Sequence, residues 1–301
     1  MKILVTGGAG FIGRHLVEQL ARSNANQTVV LDNLHRAMPG QFSAGVEFRE
    51  ADIRDRRAVE SAMDGCEVVF HLAAQSNVMG AVADADYAFS SNVAGTFHVL
   101  QAALKARVKR LVFTSSREVY GDPKRMPVRE TSPLRPKNAY GTSKAAGEAY
   151  CALAAREGLD TVVLRLANVY GPGDRDRVIP LFAAAAAAGE PLTVFGEGKI
   201  LDFVWIGTVV DALVKAGLGR SIRGPVNVGS GRGVAIAELA RRVVQLSNSS
   251  SRVRIVPERK QEVGRFVADL TRAKRLLGIA EPEDSLWGLP QTLAVEARKI
   301  E

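Results

Sequence analysis

Met1-Lys2-Ile3-Leu4-Val5-Thr6-Gly7-Gly8-Ala9-Gly10-Phe11-Ile12-Gly13 is the stretch whose reading decides the fold. The short apolar run Ile3, Leu4, Val5 reads as a buried strand. It passes directly into Gly7, Gly8, Gly10 and Gly13, after which Phe11 to Leu20 takes on helical periodicity. Strand, glycine turn and helix in that order make a diphosphate cradle. The glycines permit a tight turn and close backbone approach, and the helix presents N–H groups and its positive dipole end to the phosphates. Asp32 lies 19 residues beyond Gly13, at the end of a second strand read over Thr28 to Leu31. A carboxylate there is placed to accept from both hydroxyls of an adenosine ribose.

Outward from that stretch, strand and helix patterns alternate through the first half, as expected of a doubly wound parallel sheet in the α/β class. Val46 to Glu50 is followed by a helical stretch to Met63, and Val68 to His71 is a continuous apolar strand ending at Leu72-Ala73-Ala74. Tyr87 to Ala106 reads as one long helix containing Asn92. Leu111 to Thr114 is a central strand that stops at Ser115 and Ser116. Four prolines mark 121–138 as a loop, and a helix from about Tyr140 to Glu157 and a strand from Thr161 to Leu166 come next. Beyond Gly171-Pro172-Gly173 the alternation weakens. Helices are read over Arg177 to Ala188, Val209 to Leu218, Ala235 to Gln245 and Thr271 to Leu277, with strands at Leu192 to Phe195 and Val226 to Gly229. The expected division is a dinucleotide-binding unit over 1–170, rejoined by 204–229, and a smaller α/β substrate unit over 171–203 and 230–301.

The chain of 301 residues is 47% hydrophobic, 24% charged and only 6% aromatic, which suits one or two packed globular domains. Its formal charge is +8, but the basic residues are scattered and lack interleaved aromatics to stack bases. An anionic small molecule accounts for that excess without nucleic acid. Cys66 and Cys151 are far apart and lack metal-ligand spacing, and the four histidines form no ligand pair, so no metal is expected. The absence of an 18-residue apolar run, and a strand that starts at residue 2, argue for a cytoplasmic protein with no signal peptide or membrane span.

Tyr140 and Lys144 are four residues apart at the start of a helix, hence on one face of it. An ammonium beside a phenol stabilises the phenolate and lowers the tyrosine pKa from about 10 toward neutrality, where it can act as a base. The pair gains weight from its surroundings. The glycine loop, Asp32, Ala73-Ala74, Ser115-Ser116 and Asn168 all fall at carboxyl ends of strands, where doubly wound sheets bind ligands.

With these stretches in place the sequence resembles the extended short-chain dehydrogenase/reductase family, and within it the nucleotide-sugar epimerases and dehydratases of the UDP-galactose 4-epimerase type. The resemblance runs in family order through Thr6 to Gly13, Asp32-Asn33-Leu34, Ala51-Asp52-Ile53, His71 to Ala74, Asn92 to Thr96, Ser115 to Gly121, Tyr140-Gly141-Thr142-Ser143-Lys144 and Arg165 to Pro172. It implies NAD held at its pyrophosphate by Gly7, Gly10, Phe11 and Ile12. Asp32 and Asn33 would hold its adenosine ribose, and Asp52 with Ile53 its adenine. Leu72, Ala73, Ala74 and Ser115 would line the coenzyme path, with Asn92 supporting the loops beneath. Tyr140 would be the acid/base, Lys144 would bond the nicotinamide ribose, and Ser116 would bond the reacting sugar hydroxyl. Asn168 and Arg259 fall where the family contacts the nucleotide diphosphate. The implied reaction is epimerisation of a UDP-glucose/UDP-galactose-type sugar at C4 through a transient 4-keto form, in a homodimer paired through helices near 87–106 and 140–157.

Three departures keep alternatives open. Glu118 sits where dehydratases and decarboxylases of the family carry a Glu, but its neighbour is Arg117 rather than their Asp or Ser, which favours epimerisation over 4,6-dehydration. An ion pair with Arg117 explains Glu118 as well as a catalytic role does. Leu201 replaces an Arg that many relatives place on the diphosphate, with Lys199 as a point-charge substitute. Asp174-Arg175-Asp176-Arg177 is either a solvated turn or brings an Arg, Arg177 among them, to a uronic carboxylate, as in a UDP-glucuronic acid 4-epimerase or decarboxylase. Asp32 disfavours NADP, although Arg36 could compensate if its loop folds back. A non-catalytic NAD-binding regulator on the same fold would have no need of Ser116, Tyr140 and Lys144.

Overall fold

The computed structural model describes residues 1–297 apart from 24, 38–41 and 221. The chain opens β1 (Lys2–Thr6), α1 (Phe11–Ala21), β2 (Gln27–Asp32), β3 (Val46–Glu50), α2 (Arg56–Met63) and β4 (Val68–His71). Two short helices, α3 (Val78–Ala83) and α4 (Ala85–Phe89), lead through a π-helical turn at Ser90–Gly95 into α5 (Thr96–Lys105). Then come β5 (Arg110–Ser116), a 3-10 turn at Arg117–Tyr120, α6 (Ala139–Arg156), β6 (Asp160–Leu166), β7 (Asn168–Tyr170), α7 (Val178–Ala187) and β8 (Leu192–Phe195). β9 (Ile200–Trp205), α8 (Ile206–Leu218), β10 (Pro225–Val228), β11 (Gly233–Ala235) and α9 (Ile236–Leu246) follow. β12 (Val253–Val256), β13 (Arg265–Phe266), α10 (Thr271–Leu277) and α11 (Leu289–Ala297) end the described chain.

Seven parallel strands form one sheet in the order β3-β2-β1-β4-β5-β6-β10. The chain winds outward from β1 to β2 and β3, then restarts on its other side at β4. That reversal opens a crevice beyond the carboxyl ends of β1 and β4, the general ligand position in such sheets. The central strands β1, β4 and β5 are buried on both faces and read as apolar runs, whereas the edge strand β3 is partly exposed and carries Glu47, Arg49 and Glu50. On one face α1 and α8 pack Leu16, Val17, Leu20, Val209 and Leu213 into the core. On the other, α2, α5 and α6 contribute Val59, Met63, Leu100 and Cys151. Leu16 is fully buried, so its truncation to Ala costs about 2–5 kcal/mol.

Past β6 the chain builds a second layer over the crevice. β9 pairs with β7, β11 and β13, and β8 pairs with β12. β10 returns to the first sheet beside β6. Several elements, α3, β7, β9, β11, β12, β13 and α11, have no counterpart in the sequence pattern, and one helix read as continuous is broken. The expected single helix over 87–106 is interrupted by the π turn. Its extra residue per turn carries Asn92 inward, where the side chain is almost fully buried. β9 occupies a stretch for which patterning predicts no strand, because Asp202 interrupts its apolar run. That buried carboxylate is satisfied by Ser230 N and Oγ at 2.7 Å, Gly231 N at 3.1 Å and Ala268 N at 3.0 Å.

Candidate active site

A cleft of about 940 Å³ runs along the carboxyl ends of β1, β2, β4 and β5 and under the second layer. Its floor is the glycine turn. Gly7 has φ +73°, and a side chain there would lie 2.6 Å from Ala73 N; a Cβ on Gly13 would meet Gly7 O at 2.2 Å. Only glycine lets α1 approach β1 this closely. Gly10 caps α1 with no side-chain hydrogen bond, leaving its first turn to bind an anion. Asp32 Oδ2 accepts from Ala9 N at 3.0 Å and Oδ1 from Leu34 N at 2.9 Å. Burial raises the Asp32 pKa against those two bonds and the Arg14 charge.

Asn33 reaches across to Asp52 Oδ2 at 2.7 Å and to the Tyr87 hydroxyl at 3.1 Å. Arg54 takes both oxygens of the same Asp52, with its backbone N at 2.8 Å and its guanidinium at 2.8 and 3.0 Å. Asp52 therefore braces Asn33 and lies outside the cleft lining, while Ile53 and Tyr87 line it. Tyr87 had no sequence signal, because nothing in its neighbourhood marks it as facing a ligand.

A third cluster, holding Tyr140 and Lys144, is built on the first turn of α6. Asn138 caps that helix, accepting from Gly141 N at 2.7 Å. The Tyr140 main chain accepts from Ser143 Oγ at 2.8 Å, and Ser143 in turn accepts from Asn92 Nδ2 at 2.9 Å. Asn92 is also locked to Gln75 N and O, so it supports the site from behind and does not line the cleft. Lys144 Nζ donates to Thr114 O at 2.9 Å and lies 6.0 Å from the Tyr140 ring centroid. Burial lowers its pKa to about 8. The Ser116 hydroxyl accepts from Glu118 N at 3.2 Å, and Ser116 and Tyr140 both line the cleft.

The direction of the Tyr140 shift corrects the sequence expectation. Burial holds the phenol above its ordinary value; Ser116, Arg177 and Arg117 pull it down, and Glu118 pushes it up. Burial outweighs the nearby positive charges. Glu118 has both carboxylate oxygens engaged, one by Arg117 Nη2 at 2.9 Å and the other by Asn138 Nδ2 at 2.7 Å. The Ser115 hydroxyl donates to Glu148 at 2.5 Å, within a buried network that also holds Arg165.

The facing wall carries paired charges. Asn168 accepts from Arg117 Nε at 3.2 Å and donates to Asp202 O at 2.9 Å. Arg177 pairs with Asp174 at 2.8 Å and lies over the Phe11 ring at 5.5 Å. Arg259 stacks on Phe195 at 3.7 Å and shares Glu262 with Lys199. Glu262, which sequence reading missed, neutralises the cation offered as a substitute for the missing Arg at Leu201. Arg36 pairs with Asp176 at 2.5 Å and donates to Ser76 at 2.8 Å, so its guanidinium bridges two loops away from the Asp32 carboxylate. The cleft is thus lined by every site residue named from sequence except Asp52 and Asn92. The anion cradle, the Asp32 carboxylate and the buried Lys144 ammonium form a donor set that fits a dinucleotide.

Residues 3–229 match the NAD dependent epimerase/dehydratase family. The chain belongs to that family. Its relatives cover nearly the whole length. The UDP-glucose 4-epimerase of Mycolicibacterium smegmatis is 35% identical over 299 residues, covering 92% of this chain and 93% of the relative. A UDP-N-acetyl-alpha-D-glucosaminuronate decarboxylase of Bacillus cytotoxicus is 32% identical over 315 residues, covering 97% and 96%. Among solved structures, the UDP-glucose 4-epimerase of Thermotoga maritima with UDP-glucose superposes with a TM-score of 0.94 at 32% identity, covering 100% of both chains. The glycine turn, Asp32 and Lys144 all line the cleft of this family's fold.

Proposed function

We propose that this protein is an NAD-dependent nucleotide-sugar 4-epimerase acting on a UDP-glucose/UDP-galactose-type substrate. The observation that carries the reading is the convergence of Ser116, Tyr140 and Lys144 on one cleft at the carboxyl end of β5, with the glycine cradle lining the same cleft. Bound NAD supplies a hydride acceptor and donor for the sugar carbon. Tyr140 takes the proton of the sugar 4-hydroxyl as C4 is oxidised and returns it as C4 is reduced. Ser116 orients that hydroxyl and favours the phenolate. Arg177 and Arg117 add positive charge that does the same. Asn168 and Arg259 hold the nucleotide diphosphate. Residues 171–203 and 230–297 serve as the substrate unit over the dinucleotide unit.

The engaged carboxylate of Glu118 favours epimerisation over 4,6-dehydration, which needs a carboxyl free to exchange a proton with the sugar. Exposed Phe89, Phe97 and Leu153 on α4, α5 and α6 support a homodimer joined through these helices. Among the described residues no helix is long and apolar enough to cross a membrane. Two buried, unpaired cysteines suit the reducing cytoplasm. Tyr140→Phe tests the reading: turnover of a nucleotide-sugar panel, followed by NMR, falls about 10²–10⁴-fold while NAD stays bound. Turnover at the wild-type rate would remove Tyr140 from the chemistry.

A further inference from the structure

We propose that Asn138 is a positioning residue that ties the register of Tyr140 to the segment 257–264, the stretch carrying Arg259 and Glu262. The proposal rests on the reading of Tyr140 as the acid/base given above. As an N-cap alone, Asn138 needs only an acceptor for Gly141 N, and Ser or Asp would serve equally well. Its amide nitrogen does something neither of those can. It donates to Glu118 Oε2 at 2.7 Å and to Gln261 O at 3.0 Å, from a residue only 8% exposed.

The two bonds close a ring. Glu118 holds Arg117, Arg117 holds Asn168, and Asn168 holds the main chain of β9 at Asp202. β9 in turn holds segment 257–264 through Ile200 N to Gly264 O at 3.0 Å, and Asn138 joins that segment back to Glu118. Inside the ring stands the first turn of α6, pressed so close to the 3-10 turn that a Cβ on Gly141 would lie 2.5 Å from Glu118 O. The same 3-10 turn sets Ser116, since Glu118 N donates to Ser116 Oγ. A shift of segment 257–264 is therefore transmitted to both hydroxyls of the reaction centre, and small misplacements of reacting groups cost large factors in rate.

The test compares Asn138→Ser, Asn138→Asp and Asn138→Asp/Glu118→Gln in the full chain with bound NAD, using UDP-glucose. Asn138→Ser keeps the cap and removes both donors. Its kcat falls at least about tenfold with NAD content unchanged, because two buried acceptors lose their partner. Asn138→Asp falls further, since two carboxylates then face each other. The double variant reverses the polarity of the lost bond: the amide introduced at position 118 donates to the carboxylate introduced at position 138 and still accepts from Arg117. It recovers about tenfold over Asn138→Asp. Wild-type kcat in both single variants would show a cap and nothing more, and the proposal would fail alone. A wild-type protein that turns over no nucleotide sugar overturns the functional reading and this proposal together.

Discussion

The two walls of the cleft are held by different means. The dinucleotide wall is made largely of main chain: β1, its glycine turn and the start of α1 lie within 20 residues, and Asp32 is held by the backbone amides of Ala9 and Leu34. The facing wall is made of side-chain pairs between residues distant in sequence, Lys199 with Glu262, Arg36 with Asp176 and Arg117 with Asn168. A main-chain site tolerates no added atom. A paired-charge site can be retuned one residue at a time.

The comparison breaks most visibly at Gly13. Gly13→Ala puts a methyl 2.2 Å from Gly7 O, and we expect a loss of about 3 kcal/mol or more in stability together with loss of bound NAD, read by calorimetry and absorbance. Normal NAD content would show that the turn yields more than a main-chain site should. On the other wall, Arg259→Met should weaken UDP binding about tenfold in titration calorimetry while leaving NAD content intact. Loss of both ligands together would mean that the walls are not independent.

Arg177→Met sharpens the contrast through pH. Arg177 pulls the Tyr140 pKa down, so removing it raises that pKa and makes the phenolate scarcer at a given pH. The rising limb of the kcat–pH profile should therefore move to higher pH, with the plateau unchanged. A limb that stays in place would detach Arg177 from the phenol. Asp176→Asn gives the smallest effect. Its pair with Arg36 is partly exposed, so the NAD release rate should rise less than about threefold, and less still at high salt.

Much of this molecule was legible in its sequence where short-range rules decide the outcome. The glycine turn, Asp32 and the Tyr140–Lys144 spacing follow from turn geometry and helical period, and they emerge lining one cleft. The readings failed where a partner far along the chain intervened. Lys144 stands at the right spacing, yet burial of the phenol outweighs the nearby positive charge and its pKa moves the opposite way. β9 was hidden because Asp202 looks like a surface residue until Ser230, Gly231 and Ala268 are brought to it. Glu118 could be read as a proton carrier until Arg117 and Asn138 were seen to occupy both of its oxygens.

Legible along the chain alone were the doubly wound sheet, the glycine turn and the Tyr140–Lys144 spacing. Each depends on backbone conformation and residue spacing within a few turns of chain, where contacts form without long loops to close. Tertiary structure alone decided the direction of the Tyr140 shift, the sharing of Glu262 between Lys199 and Arg259, and the ring through Asn138. Burial and charge pairing depend on which distant groups share a low-dielectric space, and spacing along the chain does not encode that.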